Sequence, residues 1–323
     1  PELLWPWDVS SLAGWQTAKT DYPAFGLDSH PYWFRVSLRN TSGEMQLVML
    51  DVRHSLLDEL DIFILKQGRI QRVWNTGLQR SMGAKPYPAK SFVLPLPIDT
   101  DEELELYFRA QSDSYLMFPV YVQDIRLFAN QQAMGKMQMG LMSGAFLLAG
   151  MYALLMYGFI RERRFIYYAF FCLSLIITTW ILKGYAGLYE FVPAWLNSVR
   201  FLLSTSGILL ACLIMSSMDM FRIWLPNWLR IVTRISLFVV VGCSLVLWLM
   251  PLPSAIYLTF ASYLVVTLLA FCYVGLFTHR GGWLQRLYCY SWLGFMLGCL
   301  SFFANRFASF CLNGFAAANG KII

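Results

Sequence analysis

The stretch Phe118–Ile160, FPVYVQDIRLFANQQAMGKMQMGLMSGAFLLAGMYALLMYGFI, contains a change of period that decides the fold. Up to Phe128 it is short, aromatic and β-branched, the composition of a β-strand. From Met137 to Ile160 it is almost unbroken apolar sequence, long enough to cross a hydrocarbon core of roughly 30 Å as a helix. A boundary near Asn130 therefore separates a β-rich part from a membrane-spanning part.

Upstream of that boundary the same strand signal repeats. YWFRVSLRN (32–40), QLVMLDV (46–52), LDIFILKQGRIQRVW (60–74), KSFVLPLPI (90–98) and LELYFRAQ (104–111) read as strands. Asn40-Thr41-Ser42-Gly43, Lys66-Gln67-Gly68 and Asp99-Thr100-Asp101 supply the turns between them. The spacing suits an all-β sandwich, jelly-roll-like, over residues 1–130. Leu94-Pro95-Leu96-Pro97 belongs at a sheet edge or strand end, because proline has no N–H to give to a ladder.

Downstream, further apolar runs occur near Phe165 to Leu182, Phe201 to Met220, Ile231 to Met250, Ala255 to Phe277 and Leu287 to Phe303. Each is close to the roughly 20 residues that a span requires. A seventh run, Phe307 to Ala318, is shorter and is interrupted by Asn313-Gly314, so residues 131–323 are expected to form an all-α transmembrane bundle of six to seven spans, the seventh incomplete. Pro1 stands where an initiating Met would, which suggests a mature or trimmed N-terminus.

Charge orients the bundle. Only 14% of residues are charged against roughly 25% in soluble domains, which excludes a single soluble globule. Residues 1–130 hold 12 basic and 16 acidic residues, a net of −4, whereas the remainder holds 13 and 3, a net of +10. The basic residues lie between apolar runs, which points to lipid contact and not to nucleic acid. Arg161-Glu162-Arg163-Arg164, the segment with Arg222, Arg230 and Arg234, and Thr278 to Arg286 alternate with connections poor in Lys and Arg. By the positive-inside rule those three are cytoplasmic and the β-domain lies outside. Trp180, Trp195, Trp224, Trp228, Trp248 and Trp283 sit near span ends, as interfacial belts do. Lys183 and Arg200, also at span ends, are expected to snorkel.

No P-loop, HExxH, GxSxG or GxGxxG occurs, so no enzyme activity is expected, and no cofactor. His30, His54 and His279 share no ligand spacing. In the outer domain Trp33, Arg35, Trp74, Arg80, Lys85, Tyr87 and Tyr115 offer the aromatic platforms and cationic donors that hold a sugar or a small acidic ligand. Asp58, Glu59 and Asp61 are weaker candidates for a hard cation such as calcium. Gly140, Gly144 and Gly150, with Ser143 and Ala145, favour close helix packing within the bundle or between two copies, so a homodimer stands among the expected partners.

Several ordered strings resemble the bacterial seven-transmembrane receptors with diverse intracellular signalling modules, with their type 2 extracellular sensor domain. In the outer half these are Tyr32-Trp33-Phe34-Arg35, Asn40, Leu56-Leu57-Asp58 leading to Asp61, Thr76-Gly77 before Pro86, Phe92 to Leu96, Tyr107, Arg109 and Pro119. In the membrane half they are Tyr152 to Tyr157, Phe165 to Ala169, Gly184 with Tyr189 to Trp195, and Phe221 to Pro226. The resemblance covers Tyr32 to about Ser301. It implies a sensory receptor in the bacterial inner membrane, whose outer domain resembles carbohydrate-binding modules and detects a small-molecule ligand. Its bundle would relay the signal to a cytoplasmic module such as a histidine kinase or cyclase. No signalling helix follows Phe307–Ile323 in this sequence, so that output is expected on a continuation of the reading frame or on a partner protein. The alternatives are a transporter or channel, which would need polar groups at mid-membrane depth where this sequence is apolar, and a membrane-anchored binding module.

Overall fold

The computed structural model describes residues 15–18, 23–27, 30–66, 69–78, 87–189, 192–222, 225–280 and 282–318, with backbone alone at 24, 26–27, 194, 278–280, 284 and 302–318. The chain divides into two compact units. One holds the β-domain, the chain up to Lys136 and the segment Leu182–Ser198; the other holds Met137–Ile181 and Val199–Ala308.

Among the described residues nine strands build the β-domain: β1 (Ala24–Leu27), β2 (Tyr32–Arg39), β3 (Gln46–Val52), β4 (Glu59–Lys66), β5 (Arg69–Thr76), β6 (Phe92–Ile98), β7 (Glu103–Gln111), β8 (Tyr115–Met117) and β9 (Val120–Asp124). They pair antiparallel in a four-stranded sheet, β2-β7-β4-β5, a three-stranded sheet, β6-β3-β9, and a small β1-β8 pair. Alternation decides which side chains meet. Leu60, Ile62 and Ile64 of β4 and Leu104, Leu106, Phe108 and Ala110 of β7 share one core with Leu50 and Val52 of β3 and Phe92, Leu94, Leu96 and Ile98 of β6. The two larger sheets thus close a sandwich over that core. Phe118 completes it, its ring 4.0 Å from that of Phe34 and 5.3 Å from that of Phe108.

Two local features fix the strand ends. Asn40, buried at the end of β2, donates from Nδ2 to the carbonyls of Glu44, Ile98 and Asp99 while its Oδ1 accepts from Ser42 N and Oγ. One side chain therefore supplies partners that no strand reaches. β6, with Pro95 and Pro97, is an edge strand as its prolines require, yet all seven of its residues are in register with β3.

Strand gives way to helix earlier than the composition implies. Ile125-Arg126-Leu127-Phe128, expected to extend the last strand, instead opens α1 (Ile125–Ile160). The reason is local: Asp124 Oδ1 accepts from Arg126 N at 2.7 Å, satisfying a donor that a helix start leaves orphaned.

Among the described residues five further α-helices follow: α2 (Arg163–Leu182), α3 (Val199–Met220), α4 (Asn227–Val246), α5 (Leu252–Arg280) and α6 (Trp283–Ala318). Among the described residues five helices are long and apolar enough to cross a membrane: α1, α2, α3, α4 and Leu252–Phe277 of α5. The sixth and seventh expected stretches are one continuous helix, α6, with no connection at Ala304–Arg306. That segment contains no proline and no turn dipeptide, and Asn313-Gly314 lowers helix propensity without breaking the run.

The second unit is tied by polar contacts between helices, as spans in lipid require. Thr178 Oγ1 donates to Thr205 Oγ1 at 3.1 Å, and the hydroxyls of Thr233 and Tyr273 lie 3.1 Å apart. Trp180 and Trp248 donate to Ser143 and Ser204 of other helices, so these two indoles serve bundle packing. Arg200, at a span end, donates from Nη1 to the carbonyls of Leu247, Trp248 and Met250, just past the end of α4. The glycines of α1 differ in kind. A Cβ at Gly150 would touch Cys172 Cβ at 3.5 Å, whereas at Gly140 and Gly144 it would meet nothing within 4 Å.

Candidate functional site

Along the four-stranded sheet, the residues one step out of register with the core point to its outer face. There Trp33 stands opposite Arg109, Arg109 opposite Asp61, and Asp61 opposite Asn75. In the next row Arg35 stands opposite Tyr107, Tyr107 opposite Phe63, and Phe63 opposite Val73. At the sheet end Glu59 pairs with Gln111.

The first row is an ionic network. Arg109 Nη1 donates to Asp61 Oδ2 at 3.1 Å and Glu59 Oε2 at 3.2 Å, and its Nη2 donates to Gln111 Oε1 at 2.9 Å. Asn75 Nδ2 donates to the other oxygen of Asp61 at 2.8 Å. Exposure runs in a gradient: the Asp61 side chain is 1% exposed, Arg109 17% and Glu59 33%. Asp61 is thus a buried carboxylate with both oxygens occupied, as burial of a charge demands.

The second row is aromatic. The rings of Trp33 and Phe63 stack at 5.7 Å, and Tyr107 is buried with Phe63 and Leu65. Trp15 lies over this row, 6.0 Å from the Tyr107 ring and edge-on to it, with the Arg35 guanidinium 5.4 Å from its centroid. Its Nε1 is buried without a hydrogen-bond partner among the described residues. Among the described residues the indole is therefore held by apolar and cation–π contacts. A half-buried tryptophan beside a planar guanidinium, two carboxylates and two amides offers an apolar plate with donors and acceptors at its edge. That is the chemistry that recognises a polyhydroxylated ring.

Two family profiles match the chain: the 7TMR-DISM extracellular 2 domain over residues 6–124 and the 7TM diverse intracellular signalling domain over residues 136–319. The chain belongs to the 7TMR-DISM family. It is a membrane sensory receptor of that family with an N-terminal extracellular domain, as its loop charges require. A comparison with curated proteins gives no match.

Within this 7TMR-DISM extracellular domain the expected site residues do not form one cluster. Trp33 and Arg35 lie on the outer sheet face. Trp74 pairs with Ile62 and packs against the core, on the inner face, with the Arg72 guanidinium 5.5 Å from its ring. Tyr87 stands edge-on to Phe128 of α1, and Tyr115 is on β8, its carbonyl 3.0 Å from His54 Nε2. Arg80 and Lys85 lie outside the described residues. Asp58 accepts from Ser112 Oγ and Asp113 N and braces a turn, apart from the Glu59 and Asp61 pair that holds Arg109. No cluster of three metal-ligating side chains occurs among the described residues. Arg109, Asn75, Gln111, Tyr107 and Phe63 share this outer face and were not among the expected site residues. Their signal was present in the alternation: Glu105, Tyr107, Arg109 and Gln111 share one parity on β7, and Glu59, Asp61 and Phe63 share one on β4.

Proposed function

We propose that this receptor binds a small carbohydrate-like ligand on the outer face of the β2-β7-β4-β5 sheet, in the inner membrane of a bacterium. In this reading residues 1–130 sense, residues 131–323 relay, and the output is a cytoplasmic signalling module or partner protein. The observation that carries the reading is the Arg109–Asp61–Glu59–Asn75–Gln111 network beside the half-buried Trp33. Such a network does not repay its desolvation well enough to be explained by stability alone, and it presents polar groups of both signs next to an apolar plate. A hard cation is the weaker choice, because Glu59 and Asp61 each already direct an oxygen to one Arg109 nitrogen. No catalytic role is assigned to any of these groups. A second copy of the chain is a proposed partner, through the side of α1 that bears Gly140 and Gly144.

The test is a thermal-shift screen of the whole chain in detergent against mono- and oligosaccharides and calcium. A ligand that binds only the folded state raises Tm with concentration. Loss of a saccharide shift in Trp33→Ala, with the fold retained, supports the site. A shift with calcium alone overturns the ligand class, and a saccharide shift unchanged in Trp33→Ala overturns the site.

A further inference from the structure

The segment between α2 and α3 lies in the same compact unit as the β-domain and approaches it closely at a glycine. Gly184 has φ +77°, and a Cβ there would lie 2.4 Å from the Lys90 carbonyl oxygen and 2.5 Å from Ser55 Cβ. Only glycine permits both that backbone conformation and that approach. The next residue, Tyr185, is buried, and Lys90 Nζ lies 5.6 Å from its ring centroid. Its hydroxyl is 2.8 Å from where a Cβ on Gly135 of α1 would be. Three pieces of chain therefore meet without spare space: the β-domain at Ser55 and Lys90, the outer segment at Gly184 and Tyr185, and α1 at Gly135. Burial, with repulsion from Lys183, holds the Lys90 ammonium below its ordinary value of 10.5, as expected of a closed contact.

The loop bearing Ser55 is in turn tied to the end of the sheet face. Ser114 Oγ donates to the Leu56 carbonyl at 3.4 Å, Leu78 N donates to the Leu57 carbonyl at 2.9 Å, and Asp58 accepts from Ser112 Oγ and Asp113 N. Asp58 is followed directly by Glu59, and Ser112 directly follows Gln111, two members of the Arg109 network. Gly77 closes the third side, since a Cβ there would lie 2.1 Å from the Asp58 carbonyl oxygen.

We propose that the loop Arg53–Asp58, held against Gly184, Tyr185 and Gly135, is the joint through which rearrangement of the Glu59–Asp61–Arg109–Gln111 face is delivered to the membrane helices. The joint rests on the reading of that face as the ligand site, but its mechanics do not require the ligand. Close-packed groups pass a displacement on because they have no slack in which to absorb it. A coupling claim needs a coupling measurement.

The measurement is hydrogen exchange of the full chain in lipid nanodiscs, followed at residues 53–61 and 184–188. Asn75→Ala removes one partner of Asp61 and disturbs the sheet face mildly. The joint requires that this variant speed exchange at 184–188, including the Leu188 amide that donates to the Tyr185 carbonyl, by at least about threefold. In Gly184→Ala, exchange at 184–188 is raised at the outset and no longer responds to Asn75→Ala. Gly242→Ala, whose Cβ meets nothing within 4 Å, changes neither segment and controls for the substitution itself. Faster exchange at 59–61 with no change at 184–188 overturns the joint. Failure of the saccharide screen overturns the ligand reading and leaves this result standing, so the two are separable.

Discussion

The two faces of the four-stranded sheet are built by the same strands, one residue out of step, and different physics holds each. The inner face joins Leu60, Ile62 and Ile64 to Leu104, Leu106, Phe108 and Ala110, and it is stabilised by apolar area removed from water. The outer face buries the Asp61 carboxylate almost completely against a partly buried Arg109, and that arrangement breaks even only while every partner is present. A core tolerates swaps that conserve volume; a buried charge network tolerates no missing member. The comparison separates residues that make the domain stable from residues whose arrangement calls for another explanation, here ligand contact.

The strongest way to break that contrast is to delete one member from each face. Arg109→Ala leaves the Asp61 carboxylate buried without its cation and is expected to cost about 3–5 kcal/mol in chemical unfolding of the domain. Its neighbour on the other face, Phe108→Ala, leaves a cavity and is expected to cost about 3–5 kcal/mol as well. Equal losses do not distinguish the mechanisms, but repair does. Arg109→Met combined with Asp61→Leu is expected to return to within about 1 kcal/mol of the parent, or above it, while losing the saccharide shift. No apolar second change repairs Phe108→Ala unless it refills the volume. A double variant as unstable as Arg109→Ala alone would show that the outer face is structural.

Smaller changes sharpen the comparison at its margins. Gly77→Ala forces a side chain into φ +142° and against the Asp58 carbonyl, at an expected cost of at least about 1–3 kcal/mol, read as a fall in Tm. The smallest effect belongs to the ion pair of Lys66 and Glu102, whose ammonium side remains partly open to solvent. The hydrogen bond from Lys66 holds the Glu102 carboxyl below its ordinary value of 4.5, and the same bond raises Lys66 above 10.5. Glu102 therefore contributes stability that is full above pH 4.5 and is lost as pH falls through its lowered value. Lys66 contributes stability that is full below pH 10.5 and is lost as pH rises through its raised value. Glu102→Gln should flatten the acid limb of the Tm–pH curve by lowering its neutral plateau slightly, and the effect is small because Lys66, 32% exposed, is screened by solvent.

Much of the architecture was legible in the sequence because alternation and apolar length are one-dimensional signals. The edge position of Pro95 and Pro97 followed from a missing donor, and the outer placement of the β-domain followed from arginine counts in loops. The end of the last strand was not legible, since Ile125 to Phe128 has strand composition and only the Asp124 side chain turns it into helix. Of the candidate site residues, Trp33 and Arg35 lie on the outer face of the sheet and Trp74 on the inner one, a distinction that residue type does not carry and strand parity does, as it places Arg109 beside Asp61. Arg109 attracted no notice as a site residue in sequence, because an arginine reveals its burial only when its carboxylates arrive from another strand.

The prolines of β6 have a further consequence for proteins crowded on a membrane surface. Pro95 and Pro97 are two residues apart, so their missing N–H groups fall on one side of the strand, and the unbroken register with β3 places that side on the free edge. A strand arriving there from a neighbouring copy would find carbonyls without alternating donors and could not continue the ladder. This edge is thereby closed to sheet extension by chemistry already in the chain, and a neighbouring extracellular domain cannot zip onto it.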